Sequence, residues 1–328
     1  MAGMGKRMRP HTLTVPKPLI PIAGKPIVQR LVEDIAIVCG QDVEEVAFII
    51  GRFGAAVEAK LAEIAASIGA KCSIYYQDEP LGTAHAILCA APSLDGKLVV
   101  AFADTLFKAD FRLTPSQDNT IWVQKVEDPK PFGVVTLDGA GAITGFVEKP
   151  ETFVSDLAII GIYYFNDGAY LKSELQYLLD NNIKDKGEFQ LTNALENMRA
   201  KGTTFKPGEV ADWLDCGNKN STVDTNNRYM EYIKDNPLVS ASATITNSVV
   251  LQPSYIGDGA VIENSVVGPY ASIGNKTKVS GAIVSHSIVQ ENSHIAGAVI
   301  KNSMVGNFVT ISAREMDLSV GDYNNITL

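Results

Sequence analysis

The stretch AGMGKRMRPHTLTVPKPLIPIAGKP places Gly3 and Gly5 directly before Lys6 and Arg7, then returns Lys17 and Lys25 along a strap stiffened by prolines. Six basic residues (Lys6, Arg7, Arg9, Lys17, Lys25, Arg30) and no acidic one lie between Met1 and Val32, although the whole chain carries a net charge of −9. Glycines let backbone N–H groups approach phosphate oxygens, and cations neutralise them, so the loop suits a small polyanion gripped from several sides. It is not a dinucleotide fingerprint, which needs a third small residue where Lys6, Arg7 and Met8 stand, and it lacks the G-K-[ST] of a Walker A loop. Further along, Asp104 closes the apolar run KLVVAFAD, where open α/β sheets hold ligands; its carboxylate could bind Mg²⁺ or cap a turn. Glu148 and Lys149 in VEKP could equally be a surface ion pair, and Gln77 in QDEPLG an exposed residue at a strand end. No Ser/His or Cys/His pairing suggests a covalent nucleophile.

The partners are bounded by charge and composition. An acidic chain with one basic segment disfavours nucleic acid and anionic membrane surfaces. Cys39, Cys72, Cys89 and Cys216 stand singly, as reduced core thiols would, and His11, His85, His286 and His294 show no metal spacing. No apolar run reaches the length of a membrane span and no secretory signal is recognisable, so a cytoplasmic location is expected.

Two grammars divide the chain. Up to Asp235, short apolar runs alternate with helical stretches (VAFII, AAVEAKLAEIAASIG, CSIYY, GTAHAILCAA, KLVVAFAD), which predicts a mostly parallel sheet covered by helices. TIWVQKV, FGVVTLD and AITGFVEKP read as consecutive antiparallel strands with turns at Asp138-Gly139 and Gly141, making the sheet mixed. After residues 236–240 aliphatics recur every five or six positions, from Ile245, Val250 and Ile256 through to Val305 and Ile311. That period predicts a β-solenoid with one inward aliphatic per hexad, over residues 241–315, before a tail at 316–328. NSVV occurs at Asn247 and again at Asn264, with HSIV and NSMV as echoes.

Taken with these motifs, the opening stretch closely resembles the signature of the sugar-1-phosphate nucleotidylyltransferases. QDEPLGTAHAI looks like the family's base-binding segment, AFADTLF its metal-binding strand end, FGVV and VEKP its sugar and phosphate contacts, GIYYF and GEFQLTNAL its later sugar-site elements, and WLDCG its second metal aspartate. Glucose-1-phosphate thymidylyltransferases carrying a C-terminal left-handed β-helix resemble it best. The resemblance implies a Rossmann-like mixed-sheet catalytic domain at 1–235 and attack by a sugar-1-phosphate oxygen on the α-phosphorus of a nucleoside triphosphate. An ionised phosphate needs no general base, so the task is charge neutralisation.

The roles implied are these. Ala2, Gly3, Gly5 and Lys6 would hold the triphosphate with Arg7 and Lys17 as catalytic cations; Gln77, Pro80, Gly82 and Thr83 would bind the base; Gly133, Glu148, Lys149, Gly161 and Lys186 would bind the sugar phosphate, Lys149 also catalytically; Asp104 and Asp215 would hold Mg²⁺. Lys6 stands where the family usually has Thr, and Lys186 where some members have Arg. Gln77 would offer an acceptor and a donor to N3–H and O4 of thymine or uracil, where guanylyl-transferring relatives often carry Glu. dTTP, then UTP, and glucose-1-phosphate are the expected substrates. The resemblance further implies a strand upstream of Met1, which would make Met1 internal, and a homo-oligomer formed through the β-helix. Alternatives are a mannose-1-phosphate guanylyltransferase, a bifunctional acetyltransferase using His286 or His294, and a non-catalytic regulatory homologue.

Overall fold

The computed structural model describes residues 3, 5–40, 42–114 and 116–313. Ala2 and the tail expected at 316–328 lie outside the described residues. The chain forms two compact units, one of residues 1–20 and 25–221, the other of 21–24 and 222–328. The site residues named above all fall in the first.

That first unit is built on a mixed sheet. Its strands run in the order Lys206–Gly208, Thr120–Lys125, Leu157–Phe165, Gly133–Leu137, Ile143–Glu148, with Leu98–Ala101 also pairing Leu157–Phe165. Strands Glu45–Ile50 and Lys71–Tyr76 pair in parallel, as expected of two strands joined by helix α2 (Ala55–Ser67). Helices α1 (Ile27–Cys39), α3 (Thr83–Leu88), α4 (Gly168–Asp180) and α5 (Leu191–Ala200) complete the alternation read from the sequence. The largest core joins both layers: Phe165, Ile121 and Val135 from strands meet Leu171, Leu175, Ala194 and Leu195 from α4 and α5.

One pairing differs from the expected order. FGVVTLD and AITGFVEKP form an antiparallel hairpin, closed by Asp138 donating its N–H to the Ala142 carbonyl. Thr120–Lys125 does not join that hairpin; it lies between Lys206–Gly208 and the nine-residue strand Leu157–Phe165. The long strand is buried on both faces, so it takes the sheet interior and receives Leu98–Ala101 and Thr120–Lys125 along its length.

In the second unit the hexads wind as a parallel β-solenoid with three sheets of five, four and four strands. Inward positions stack in register, such as Ile262 on Val279 on Ile295, and Val267 on Val284 on Ile300. Ile245 departs from the pattern: at the first coil no earlier strand covers it, and it is 39% exposed. The corners explain the echoes. Asn247, Asn264, Gly281 and Gly297 share one left-handed corner row, whereas Tyr270, His286 and Asn302 share another. NSVV thus turns one corner, and HSIV and NSMV a different one; asparagine and glycine recur because they adopt positive φ at least cost. Helix α6 (Lys219–Ile233) lies along this second corner, with the Tyr270 hydroxyl donating to Glu231 at 2.5 Å and Asn227 against His286.

Candidate active site

The glycine loop is held from behind. Gly5 adopts φ 56°, and a Cβ there would meet Thr12 Cγ2 at 3.0 Å and Lys17 Cβ at 3.3 Å. The Gly5 carbonyl accepts from Met8 N–H at 2.9 Å and from the Thr12 hydroxyl at 2.8 Å, which curls Lys6–Met8 into a single 3₁₀ turn. Met8 is buried, while Gly3, Lys6 and Arg7 are exposed, so the turn anchors on its apolar residue and offers its cations outward. Lys17 does the reverse. Its side chain is 10% exposed, and Nζ donates to Asp104 Oδ2 at 2.9 Å. Lys25 leaves the polyphosphate grip expected of it: its Nζ pairs at 2.8 Å with Glu33, the seventh residue of the following helix α1.

Asp104 sits three residues past strand Leu98–Ala101 and just before strand Thr105–Lys108, so it occupies the turn rather than the strand end. Strand Asp212–Asp215 pairs with Thr105–Lys108 so that Asp215 stands opposite Thr105, and the Asp104 carbonyl accepts from Cys216 N–H at 3.0 Å. The two aspartates therefore come from adjacent ends of one antiparallel pair. Crowding by protein atoms works to raise the Asp104 carboxyl, but the Lys17 ammonium, with Arg7 adding to it, outweighs that and holds the acid below its ordinary value. The side chain nonetheless keeps 43% of its surface open. Asp215 Oδ1 accepts from Gly217 N–H at 2.9 Å.

The expected sugar-phosphate residues gather beside the hairpin. Gly133 pairs with Glu148 across it, and a Cβ on Gly133 would meet Glu148 Oε2 at 3.1 Å. Glu148 accepts from the Thr192 hydroxyl at 3.2 Å and pairs with Lys149 at 3.3 Å. Lys149 and Lys186 both take left-handed φ (42° and 49°), and Lys186 Nζ donates to the Lys149 carbonyl at 2.7 Å. Burial first, and the Glu148 carboxylate second, push the Tyr163 phenol far up, so it stays protonated behind this carboxylate. Gly161, at φ 86°, accepts from Phe102 N–H, and a Cβ there would meet the Phe102 ring at 3.1 Å. It ties the long strand to the segment that carries Asp104.

At the expected base segment, Gly82 has φ 118° and lies against the backbone of Phe189: an added Cβ would be 2.4 Å from Phe189 O. Thr83 accepts from Leu191 N–H at 2.9 Å and donates to Gln190 at 3.1 Å, so its hydroxyl starts helix α5 and is committed to that task. Pro80 is exposed. Gln77 Nε2 donates to the Gly82 carbonyl at 3.0 Å and lies 3.1 Å from His85 Nδ1.

Residues 189–192 join the segments expected to bind base and sugar, since Phe189 and Leu191 meet Gly82 and Thr83 while Thr192 reaches Glu148. Thr192 and His85 were missed as site residues by the sequence reading. Both stand inside quoted motifs, and only their side-chain contacts distinguish them from helix surface.

A family model described as nucleotidyl transferase matches residues 1–232. This chain belongs to the nucleotidyl transferase family. Within it, the chain is 28% identical to a glucose-1-phosphate thymidylyltransferase of Streptomyces antibioticus, over 89% of this chain and 86% of that protein. It is likewise 28% identical to the bifunctional protein GlmU of Methanococcus vannielii, over 86% of this chain and 72% of that protein. A solved UDP-glucose pyrophosphorylase complexed with UDP-glucose superposes with a TM-score of 0.58 at 26% identity, covering 70% of this chain and 96% of that one. The chain is thus a sugar-1-phosphate nucleotidyltransferase by family, with a mixed-sheet nucleotidyltransferase domain followed by a parallel β-solenoid. No helix among the described residues is long and apolar enough to cross a membrane.

Proposed function

We propose that this nucleotidyltransferase joins dTTP, and secondarily UTP, to glucose-1-phosphate, releasing pyrophosphate, as a cytoplasmic enzyme. The reading of the base is carried by one observation: Gly82 O can only accept, so the Gln77 amide must turn Nε2 towards it and present Oε1 outward. An acceptor there suits the N3–H of thymine or uracil, and also the N1–H of guanine, and repels the bare N3 of cytosine or N1 of adenine; the choice of a pyrimidine over guanine rests on the resemblance of the motifs. One amide hydrogen of Gln77 goes to the Gly82 carbonyl, and His85 Nδ1 stands 3.1 Å from Nε2 beside the other. In this reading Gly3, Gly5, Lys6 and Arg7 bind the triphosphate, Lys17 neutralises charge as pyrophosphate leaves, and Glu148, Lys149 and Lys186 receive the sugar phosphate. Each cation reduces the repulsion of two approaching anions, roughly 4 kcal/mol per pair of unit charges ~4 Å apart at an effective dielectric of about 20.

Asp104 and Asp215 would hold Mg²⁺. Two carboxylates suit an ion that keeps several waters and takes its other ligands from phosphate, and no group of three or more His, Cys, Asp or Glu among the described residues forms a fuller cage. The ion, when bound, would stabilise charge on the transferring phosphoryl oxygens. Following pyrophosphate release with each of the four nucleotides and several sugar-1-phosphates tests the whole reading. We expect dTTP and UTP with glucose-1-phosphate to lead; faster turnover with GTP or ATP overturns it.

The solenoid is proposed to bring together copies of this chain. The outward row Val249, Val266, Ile283 and Val299 runs in register down one face, and three of its members are 46–77% exposed. The four strands of that face carry no carboxylate, although the chain is acidic, and their one charged residue is Lys301 at the end of the last strand.

A further inference from the structure

We infer that His85 is a positioning residue that sets which edge of the Gln77 amide faces the nucleobase, and so decides whether the site selects a base carrying a ring N–H. The inference rests on Gln77 reading the base. A primary amide has two N–H hydrogens, and here two acceptors stand ready for them: Gly82 O at 3.0 Å and His85 Nδ1 at 3.1 Å. Nδ1 can accept only in the tautomer that carries its proton on Nε2, so the pairing defines the imidazole as well as the amide. Turning the amide over would set Oε1 against the Gly82 carbonyl oxygen and would also require the imidazole to carry its proton on Nδ1. With both hydrogens engaged, Oε1 is the only part of the amide left to present, and no partner for it occurs among the described residues.

The placement is local and rigid. Gly82 and His85 lie at the start of α3, and Gly82 is pinned by its close approach to Phe189, so both acceptors move with that helix. Replacing His85 with an apolar residue removes one of the two. The flipped amide, which offers N–H to the bare ring nitrogen of cytosine or adenine, then gains population, and discrimination is lost without touching the phosphates or the carboxylates.

The test compares kcat/KM for dTTP and CTP in four variants of the full chain. His85→Leu should cut the dTTP:CTP ratio about tenfold, mainly through KM for dTTP, with kcat within about twofold. His85→Asn, which returns an acceptor oxygen near the Nδ1 position, should restore most of the ratio. In the Gln77→Leu background, His85→Leu should change the ratio no further. If His85→Asn is as impaired as His85→Leu, the imidazole acts by packing and the inference is wrong. If Gln77→Leu lowers the ratio and His85→Leu does not, positioning fails while base reading by Gln77 stands. A ratio unchanged by Gln77→Leu itself removes base reading, and this inference with it.

Discussion

Lys17 and Asp104 make an ion pair of unequal exposure, with the lysine buried and the carboxylate half-open. A pair of this kind serves chemistry better than stability, because the open oxygen remains available to a cation while the lysine stays fixed. Asp104→Asn keeps the shape and removes the charge; turnover should fall by two or more orders of magnitude with the thermal midpoint little changed, measured by pyrophosphate release and by scanning calorimetry. The neighbouring His11 offers a pH test. Burial lowers its pKa from the ordinary 6.5, so the folded loop resists a proton that the unfolded chain accepts. Stability from His11 is therefore present above pH 6.5 and is lost as pH falls below it. The protection of amides in residues 5–20 against exchange, taken relative to the intrinsic rate at each pH, should fall as pH drops below about 6.5, and His11→Gln should flatten that dependence.

At the level of elements, the N-terminus of α5 supports both halves of the site: Thr83 caps it, Gly82 packs against the preceding residue, and Thr192 in its first turn reaches Glu148. Gly82→Ala should displace α5, since its Cβ would lie 2.4 Å from Phe189 O and φ 118° is strained for any L side chain. A loss of about 2–4 kcal/mol is expected in denaturant unfolding, together with raised KM for both substrates. A change confined to the nucleotide would show that α5 does not couple them. The helix was implied by the resemblance of GEFQLTNAL to the family's sugar-site segment; its double contact was not, because nothing in the spacing shows which of its polar side chains faces the hairpin.

For the whole molecule, the solenoid period was readable because each coil repeats one inward aliphatic, and stacking in register needs little more than that. The outward residues obey no such constraint, so the apolar row of one face emerges only when register is known. Ile283→Asp with Val299→Asp should lower the mass seen by light scattering, while the kcat of the dispersed protein stays within a few-fold of the parent. Unchanged mass would exclude this face as the contact between copies. A chain ending at Asp235 addresses separability differently, because residues from 222 onwards group with the solenoid and such a chain keeps α6 without its support.

The sequence by itself determined the two grammars, the glycine-rich basic opening and the order of motifs, since each rests on local spacing, charge or backbone freedom that neighbours in the chain already impose. Tertiary structure alone decided that Lys25 belongs to Glu33, that Thr120–Lys125 leaves its sequential neighbour for the long strand, and that Thr83 is spent on capping α5. It also placed Gln77 Nε2 against the Gly82 carbonyl and within 3.1 Å of His85 Nδ1. The reason is common to all four cases: a polar or pairing group has several chemically adequate partners, and which one it takes depends on distances between segments far apart in the chain.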